Sequence, residues 1–268
     1  MVAQLQATTI VQELKGDAAR PNPFLWPMKE VIDQLIANFT ILTVRYFVLC
    51  GFFFIMFYVL LRRPLKKYRL QEDSPAGSDF RREILYSISS ALVIGAVFTM
   101  TITVLLPYTL IYDNIGTYGT GYYVLSYLLM LVIHDTYFYW THRLIHSKRL
   151  FRVIHRVHHR STNPSPWTSY SFHPLEALIQ ALVFPIIAMT IPVQKSALII
   201  YFFFQFVQNI YGHLGYEILP AFVRNSRLGK HINTSVIHNR HHRRTKGNYG
   251  LYFTTWDRLM GTYSTDPA

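Results

Sequence analysis

His134-Asp-Thr-Tyr-Phe-Tyr-Trp-Thr-His142-Arg-Leu-Ile-His146 follows without a break on the apolar run 122–133. A single helix is therefore expected to leave apolar surroundings and end in imidazoles. Helical residues three or four apart share a face, so His142 and His146 point the same way. Two more clusters follow, His155-Arg-Val-His158-His159 and His238-Asn-Arg-His241-His242. Imidazole suits iron, zinc, copper and nickel. Eight convergent imidazoles exceed the three or four protein ligands of an ordinary zinc site and suffice for two metals. All 12 histidines lie at or after His134, so metal chemistry belongs to the C-terminal half.

The composition places these clusters beside a membrane. Of 268 residues, 51% are hydrophobic and 16% aromatic, while 15% are charged; a soluble domain carries about 25% charged residues. Apolar runs cover 43–61, 84–106, 122–133, 177–193 and 197–211. The first two are long enough to cross a hydrocarbon core. The later ones are shorter or carry Pro185 and Pro192, which suits kinked spans or a hairpin that enters and returns. The expected fold is all-α, an integral membrane protein with about four or five membrane-embedded helices and a His-rich helical cap. The first 40 residues carry several charges and no early apolar core, unlike a cleaved leader. The segment from Phe24 through Ile36 reads as an interfacial amphipathic helix. The chain thus divides into an N-terminal interfacial segment (1–40), a transmembrane hairpin with a basic loop (41–124) and a catalytic domain (125–263).

The formal net charge of +12 sits between apolar spans, which ties it to a membrane surface and not to nucleic acid. Arg62, Arg63, Lys66, Lys67, Arg69, Arg81 and Arg82 flank the first two runs on one side, whereas the loop 107–121 has Asp113 and no Lys or Arg. By the positive-inside rule the 62–82 loop is cytoplasmic, and the third run returns the chain there, so all three clusters share the cytoplasmic face. Residues 142–160 carry Lys148 and five arginines with no acid, an amphipathic pattern suited to anionic headgroups. The single cysteine, Cys50, excludes an intrachain disulfide and is expected to pack against lipid or a neighbouring helix.

Around the clusters, Asp135 lies two turns before His142 and could orient a ligand imidazole. Asn209 and His213 stand one turn apart, so an amide and an imidazole could both face the site. His213 is counted among the metal ligands, and His134 is a further buried ionisable group. His173 and His231 read as structural. Tyr137, Tyr139 and Trp140 either line a substrate route or form an interfacial aromatic belt. HExxH, GxGxxG, GxSxG and Walker patterns are absent, so reactivity must come from the metals and electrons from a partner.

Residues 134–146, the two HxxHH clusters and Asn248-Tyr-Gly-Leu-Tyr-Phe-Thr-Thr-Trp-Asp-Arg-Leu-Met-Gly261 together resemble the fatty acid hydroxylase/sterol desaturase superfamily. Within it, Pro164-Ser-Pro-Trp-Thr-Ser-Tyr-Ser-Phe-His-Pro174 is most similar to the sterol C5-desaturase (lathosterol oxidase) branch. The resemblance covers about residues 125–263. It implies a membrane non-haem di-iron oxygenase that activates O2 and abstracts hydrogen from an unactivated lipid C–H bond. Carried over by motif, the ligands of two Fe ions, with Zn as a substitute in purified protein, would be His142, His146, His155, His158, His159, His238, His241 and His242. Related hydroxylases have a further histidine pair where this chain has Asn209 and His213, so one ligand is lost or replaced by an amide. No fused cytochrome b5 domain is visible here, and electrons are expected from a separate cytochrome b5, ferredoxin or reductase. The basic surface at Arg149, Arg152 and Arg156 would dock such an acidic donor.

The implied substrate is a sterol or sterol-like lipid, with a fatty acyl or carotenoid-type lipid as the alternative. From other classes, a membrane zinc hydrolase would need neither O2 nor reductant. A metal transporter would place its site near the membrane midplane, whereas these clusters fall in charged segments outside the apolar runs. A b-type cytochrome would need haem-ligating pairs inside the spans.

Overall fold

The computed structural model describes residues 26–73, 75 and 77–265. Helix α1 (Met28–Phe54) continues as a π-turn over Ile55–Leu60. It pairs with α2 (Gly77–Ile102). The contact is close because Gly95 has no side chain: a Cβ there would stand 3.3 Å from the backbone nitrogen of Phe39. Asn38 Nδ2 reinforces the crossing by donating to Thr99 Oγ1 at 2.9 Å. Both helices, α1 with its π-turn and α2, are long and apolar enough to cross a membrane. The residues read as an interfacial helix belong, from Met28 onward, to the first turns of α1. Phe24 and Leu25 lie outside the described residues.

Helix α3 (Gly119–Ile145) carries the quoted stretch through His142 and stops one residue short of His146. The helical segment α4 follows over 148–159, with a π-turn at Phe151–His155. The later apolar runs form α5 (Pro174–Ala181), α6 (Val183–Thr190) and α7 (Lys195–Gly212). Pro185 is tolerated in the first turn of α6, where its missing N–H has no helical acceptor to serve. Short helices α8 (Ala221–Arg224) and α10 (Thr255–Leu259) bracket α9 (Ser235–Arg244), which bears the third cluster. The expectation of an all-α chain needs one small amendment. Strands β1 (Ile111–Tyr112) and β2 (Val193–Gln194) pair in parallel over two residues and tie the α2–α3 connection to the start of α7.

Two apolar clusters hold the helices together. One joins Leu42, Tyr46 and Cys50 of α1 to Ala91 and Ile94 of α2, Ala177 of α5 and Phe206 of α7. Cys50 is fully buried in it, against neighbouring helices. The other joins Met130 of α3 to Ile187 of α6 and Tyr201 of α7. The outer faces are apolar as well. On α3, Val124, Leu128 and Val132 form an exposed stripe at helical spacing, and Ile199 and Phe203 of α7 and Val44 and Val48 of α1 add to the belt. Exposed apolar area on this scale marks a surface covered by something other than water.

Candidate metal centre

The nine histidines named from the sequence converge as two groups. His142, His146, His155, His159 and His241 form one; His158, His213, His238 and His242 form the other. Within each group the ligand atoms all lie within 4.8 Å of one another. The division follows helix geometry. In His155-Arg-Val-His158-His159, the residues four apart serve the first group and His158 serves the second. In α9 the roles reverse: His238 and His242 serve the second group and His241 the first. His142 and His146 then complete the five-membered group and His213 the four-membered one. The groups abut, with ring centroids of His159 and His242 4.9 Å apart and those of His155 and His158 5.4 Å apart. The π-turn at Phe151–His155 widens the helix as it enters this cluster and includes its first histidine, a distortion that recurs at functional sites.

Hydrogen bonds fix which nitrogen faces inward. Nδ1 of His142 donates to the Tyr249 carbonyl at 2.9 Å, that of His241 to Gly247 at 2.7 Å, and that of His242 to Ser161 at 3.0 Å. Nδ1 of His213 donates to Asn209 at 2.8 Å and that of His158 to Ser171 at 3.3 Å. His155 Nδ1 donates to Glu176 Oε1 at 2.7 Å. A carbonyl only accepts, so each of those Nδ1 atoms carries the proton and Nε2 holds a lone pair. The inward nitrogens crowd together: Nε2 of His142 lies 3.1 Å from that of His155 and 3.2 Å from that of His146. Nε2 of His213 lies 3.2 Å from that of His158 and 3.0 Å from that of His238.

These spacings fit a metal. Nitrogens bonded to one ion at about 2.0–2.1 Å stand about 2.8–3.0 Å apart in octahedral and about 3.3–3.4 Å apart in tetrahedral arrangement, which brackets these separations. Both ring nitrogens of His159 and Nε2 of His241 and His242 are buried without a protein partner, and buried polar atoms are normally satisfied. Burial first, and neighbouring imidazoles second, hold His155, His158, His159, His238 and His242 well below the usual histidine range. His241 is lowered by burial to about 4. The rings are neutral near pH 7, as metal ligation requires.

The last motif explains itself through carbonyls. Asp257 accepts from the Tyr249 and Gly250 amides at 2.9 and 2.8 Å and from Thr262 Oγ1 at 2.7 Å. The turn at 245–248 has positive φ at Thr245, Gly247 and Asn248. At Gly247 a Cβ would sit 2.5 Å from the Thr262 carbonyl oxygen. This fold of the chain presents the Gly247 and Tyr249 carbonyls to His241 and His142.

Other expectations are corrected. Asp135 orients no ligand: its Oδ1 accepts from the Tyr252 and Phe253 amides at 2.8 and 3.1 Å, pinning the final motif to α3. The carboxylate that does hold an imidazole is Glu176. The available signal was an acid at the edge of an apolar run, a costly placement that marks a partner. Glu83, buried in α2, was also missed; it accepts from Ser161 Oγ at 2.6 Å and Ser165 Oγ at 3.2 Å, steadying the loop whose Ser161 carbonyl holds His242. The Asn209 amide donates to the Ser169 carbonyl at 2.7 Å, and its own carbonyl holds His213. His134 bonds the Tyr201 and Tyr252 hydroxyls at 2.8 and 3.1 Å. His173 caps α5 through the Leu175 amide. His231 joins neither group.

Against the imidazoles lies a narrow cavity. His142, His155, His158, His213 and His238 line it together with Ile94, Phe98, Phe138, Phe172, Phe202 and Leu251; Arg45, Gln180 and Gln205 contribute polar groups. Tyr137, Tyr139 and Trp140 do not line it. Tyr137 hydrogen-bonds the Ile179 carbonyl at 2.7 Å, Tyr139 stacks on Trp256, and Trp140 stays on the surface.

A helical scaffold with two helices of membrane-crossing length thus carries nine imidazoles in two metal-competent groups against a cavity. A fatty acid hydroxylase family model matches residues 127–262, half of the chain, and the chain belongs to that family and is an oxidoreductase. Among curated proteins it is similar to lathosterol oxidases and Delta(7)-sterol 5(6)-desaturases. It is 27% identical to lathosterol oxidase of Rattus norvegicus over 250 residues, covering 90% of this chain and 79% of the relative. It is 26% identical to lathosterol oxidase of Homo sapiens over 255 residues, with the same coverage. A Delta(7)-sterol 5(6)-desaturase of Gibberella zeae is 32% identical over 145 residues, 54% of this chain and 39% of that protein. No solved structure matches.

Two outcomes follow. Glu176→Ala is expected to weaken metal affinity about 10–100-fold, as loss of a carboxylate behind a ligating imidazole does, while Glu176→Gln, which keeps an acceptor, retains most of it; equilibrium dialysis measures both. Below about pH 6.5 the unfolded chain takes up protons that the buried imidazoles refuse. Metal-free protein should therefore be steady above pH 6.5 and lose stability as pH falls from there toward about 4, where His241 titrates; thermal unfolding across that window measures the loss.

Proposed function

We propose that the protein is an integral membrane di-iron oxygenase that uses O2 and electrons from a separate partner to desaturate or hydroxylate a lipid. The observation that carries this reading is the pair of abutting imidazole groups against one apolar cavity. The proposed ligands are His142, His146, His155, His159 and His241 for one ion and His158, His213, His238 and His242 for the other. Two irons bound there would supply dioxygen activation and the oxidising power to break a lipid C–H bond. The protein's own contribution is positional. Nδ1 hydrogen bonds to Tyr249, Gly247, Ser161, Ser171, Asn209 and Glu176 hold the rings in one tautomer and orientation. Phe98, Phe138, Phe172 and Phe202 exclude water and confine the hydrocarbon near the centre.

The proposed organisation is an interfacial segment over 1–40, a membrane hairpin over 41–124 and a catalytic domain over 125–263, with the clusters on the cytoplasmic face. The similarity to lathosterol oxidases makes a Δ7-sterol or sterol-like lipid the first substrate proposed. A fatty acyl or carotenoid-type lipid is second. Arg149, Arg152 and Arg156 are exposed on α4 beside the ligands and would dock cytochrome b5, a ferredoxin or a reductase.

Iron-loaded protein in detergent, given a reductase, cytochrome b5, O2 and cholest-7-en-3β-ol, should yield a product that has lost two hydrogens or gained one oxygen. Reversing all three arginine charges should slow turnover severalfold at low salt, with the deficit shrinking as salt rises. Turnover without O2 or reductant would contradict the proposal.

A further inference from the structure

Arg45 is the only charged residue of α1 between Asp33 and Arg62. Along a helix it stands about 18 Å from the first and about 25 Å from the second, too far inside the apolar run to reach either end. A charge at such depth is costly and marks function. Among the described residues no ion pair includes Arg45. Its Nη2 donates to Tyr170 Oη at 2.7 Å, and its guanidinium lies 4.9 Å from the Phe206 ring centroid. Its Nε is buried and has no partner. Arg45 also lines the cavity that His142, His155, His158 and His238 line. On its other side it borders an apolar outer groove shared with Val44, Val48 and Phe203. One cation therefore stands where the interior cavity meets the membrane-facing surface.

We infer that Arg45 binds the oxygen-bearing polar end of the lipid substrate and thereby sets which carbon reaches the imidazole centre; this deepens the lipid-oxygenase reading and rests on it. A guanidinium only donates hydrogen bonds, so an all-hydrocarbon occupant of the cavity offers Arg45 no acceptor, whereas a hydroxyl or carboxylate oxygen does. Gln180 and Gln205 add polar groups to the same cavity. With the polar end held at Arg45, the apolar body lies along the cavity and its reacting carbon is fixed in register. Both a sterol hydroxyl and a fatty carboxylate supply this oxygen.

The test compares lipids with and without that oxygen on the full chain in detergent. Radiolabelled cholest-7-en-3β-ol is paired with cholest-7-ene, and hexadecanoate with hexadecane, against wild type, Arg45→Lys and Arg45→Met. In at least one pair the oxygenated member should bind wild type about tenfold or more tighter, as a charged hydrogen bond predicts. That advantage should collapse in Arg45→Met, which keeps the apolar stem, and partly return in Arg45→Lys. If Arg45→Met weakens both members of a pair equally, Arg45 is a structural bracket to Tyr170 and the inference fails. It fails also if the oxygen confers no advantage on wild type in either pair. An Arg45-dependent advantage confined to hexadecanoate would uphold the inference and overturn the sterol reading.

Discussion

The constraint on which this structure depends is the burial of nine imidazoles that converge as two groups. Inward Nε2 atoms of neighbouring rings stand 3.0–3.2 Å apart, close enough to share one ion. Burial and the neighbouring rings disfavour the charged form. A cation held by each group would be met by neutral rings, as ligation requires. The groups around the rings hold this array in place: backbone carbonyls, one carboxylate, a π-turn and a tightly tied C-terminal loop.

The scaffold supplies those supports from separate parts of the chain. His142 is steadied by a carbonyl 107 residues later and His242 by one 81 residues earlier. Glu176 reaches His155 from α5, and Glu83 braces the Ser161 loop from α2. The membrane-length hairpin α1–α2 is therefore more than an anchor, since it packs on α5 and on the turn Pro166–Tyr170 that close the cavity.

Much of this was legible in the residue order. Helical spacing alone put His155, His158 and His159 on a common inward face, and the apolar runs marked α1 and α2. The partition of each HxxHH between two groups was not legible, because it depends on how α4 and α9 are set against each other. Nor were the supporting partners. Asp135 was the visible acid near the first cluster, yet it lies two turns back and satisfies the amides of Tyr252 and Phe253 instead. Glu176 sits 21 residues from the imidazole it holds, and only tertiary packing brings them together. Carbonyl acceptors carry no side-chain signature at all. The aromatic run Tyr137–Trp140 misled for a simpler reason: period 3.6 turns Phe138 toward the cavity and its neighbours toward the protein and the surface.

The most direct test is to count and locate the metals. Protein expressed with ample iron should show two ions per chain in anomalous scattering maps, one inside each imidazole group. His241→Ala should deplete the five-histidine position and His213→Ala the four-histidine one, with the fold kept. A single ion, or folded wild type that stays metal-free under iron reconstitution, would contradict the account.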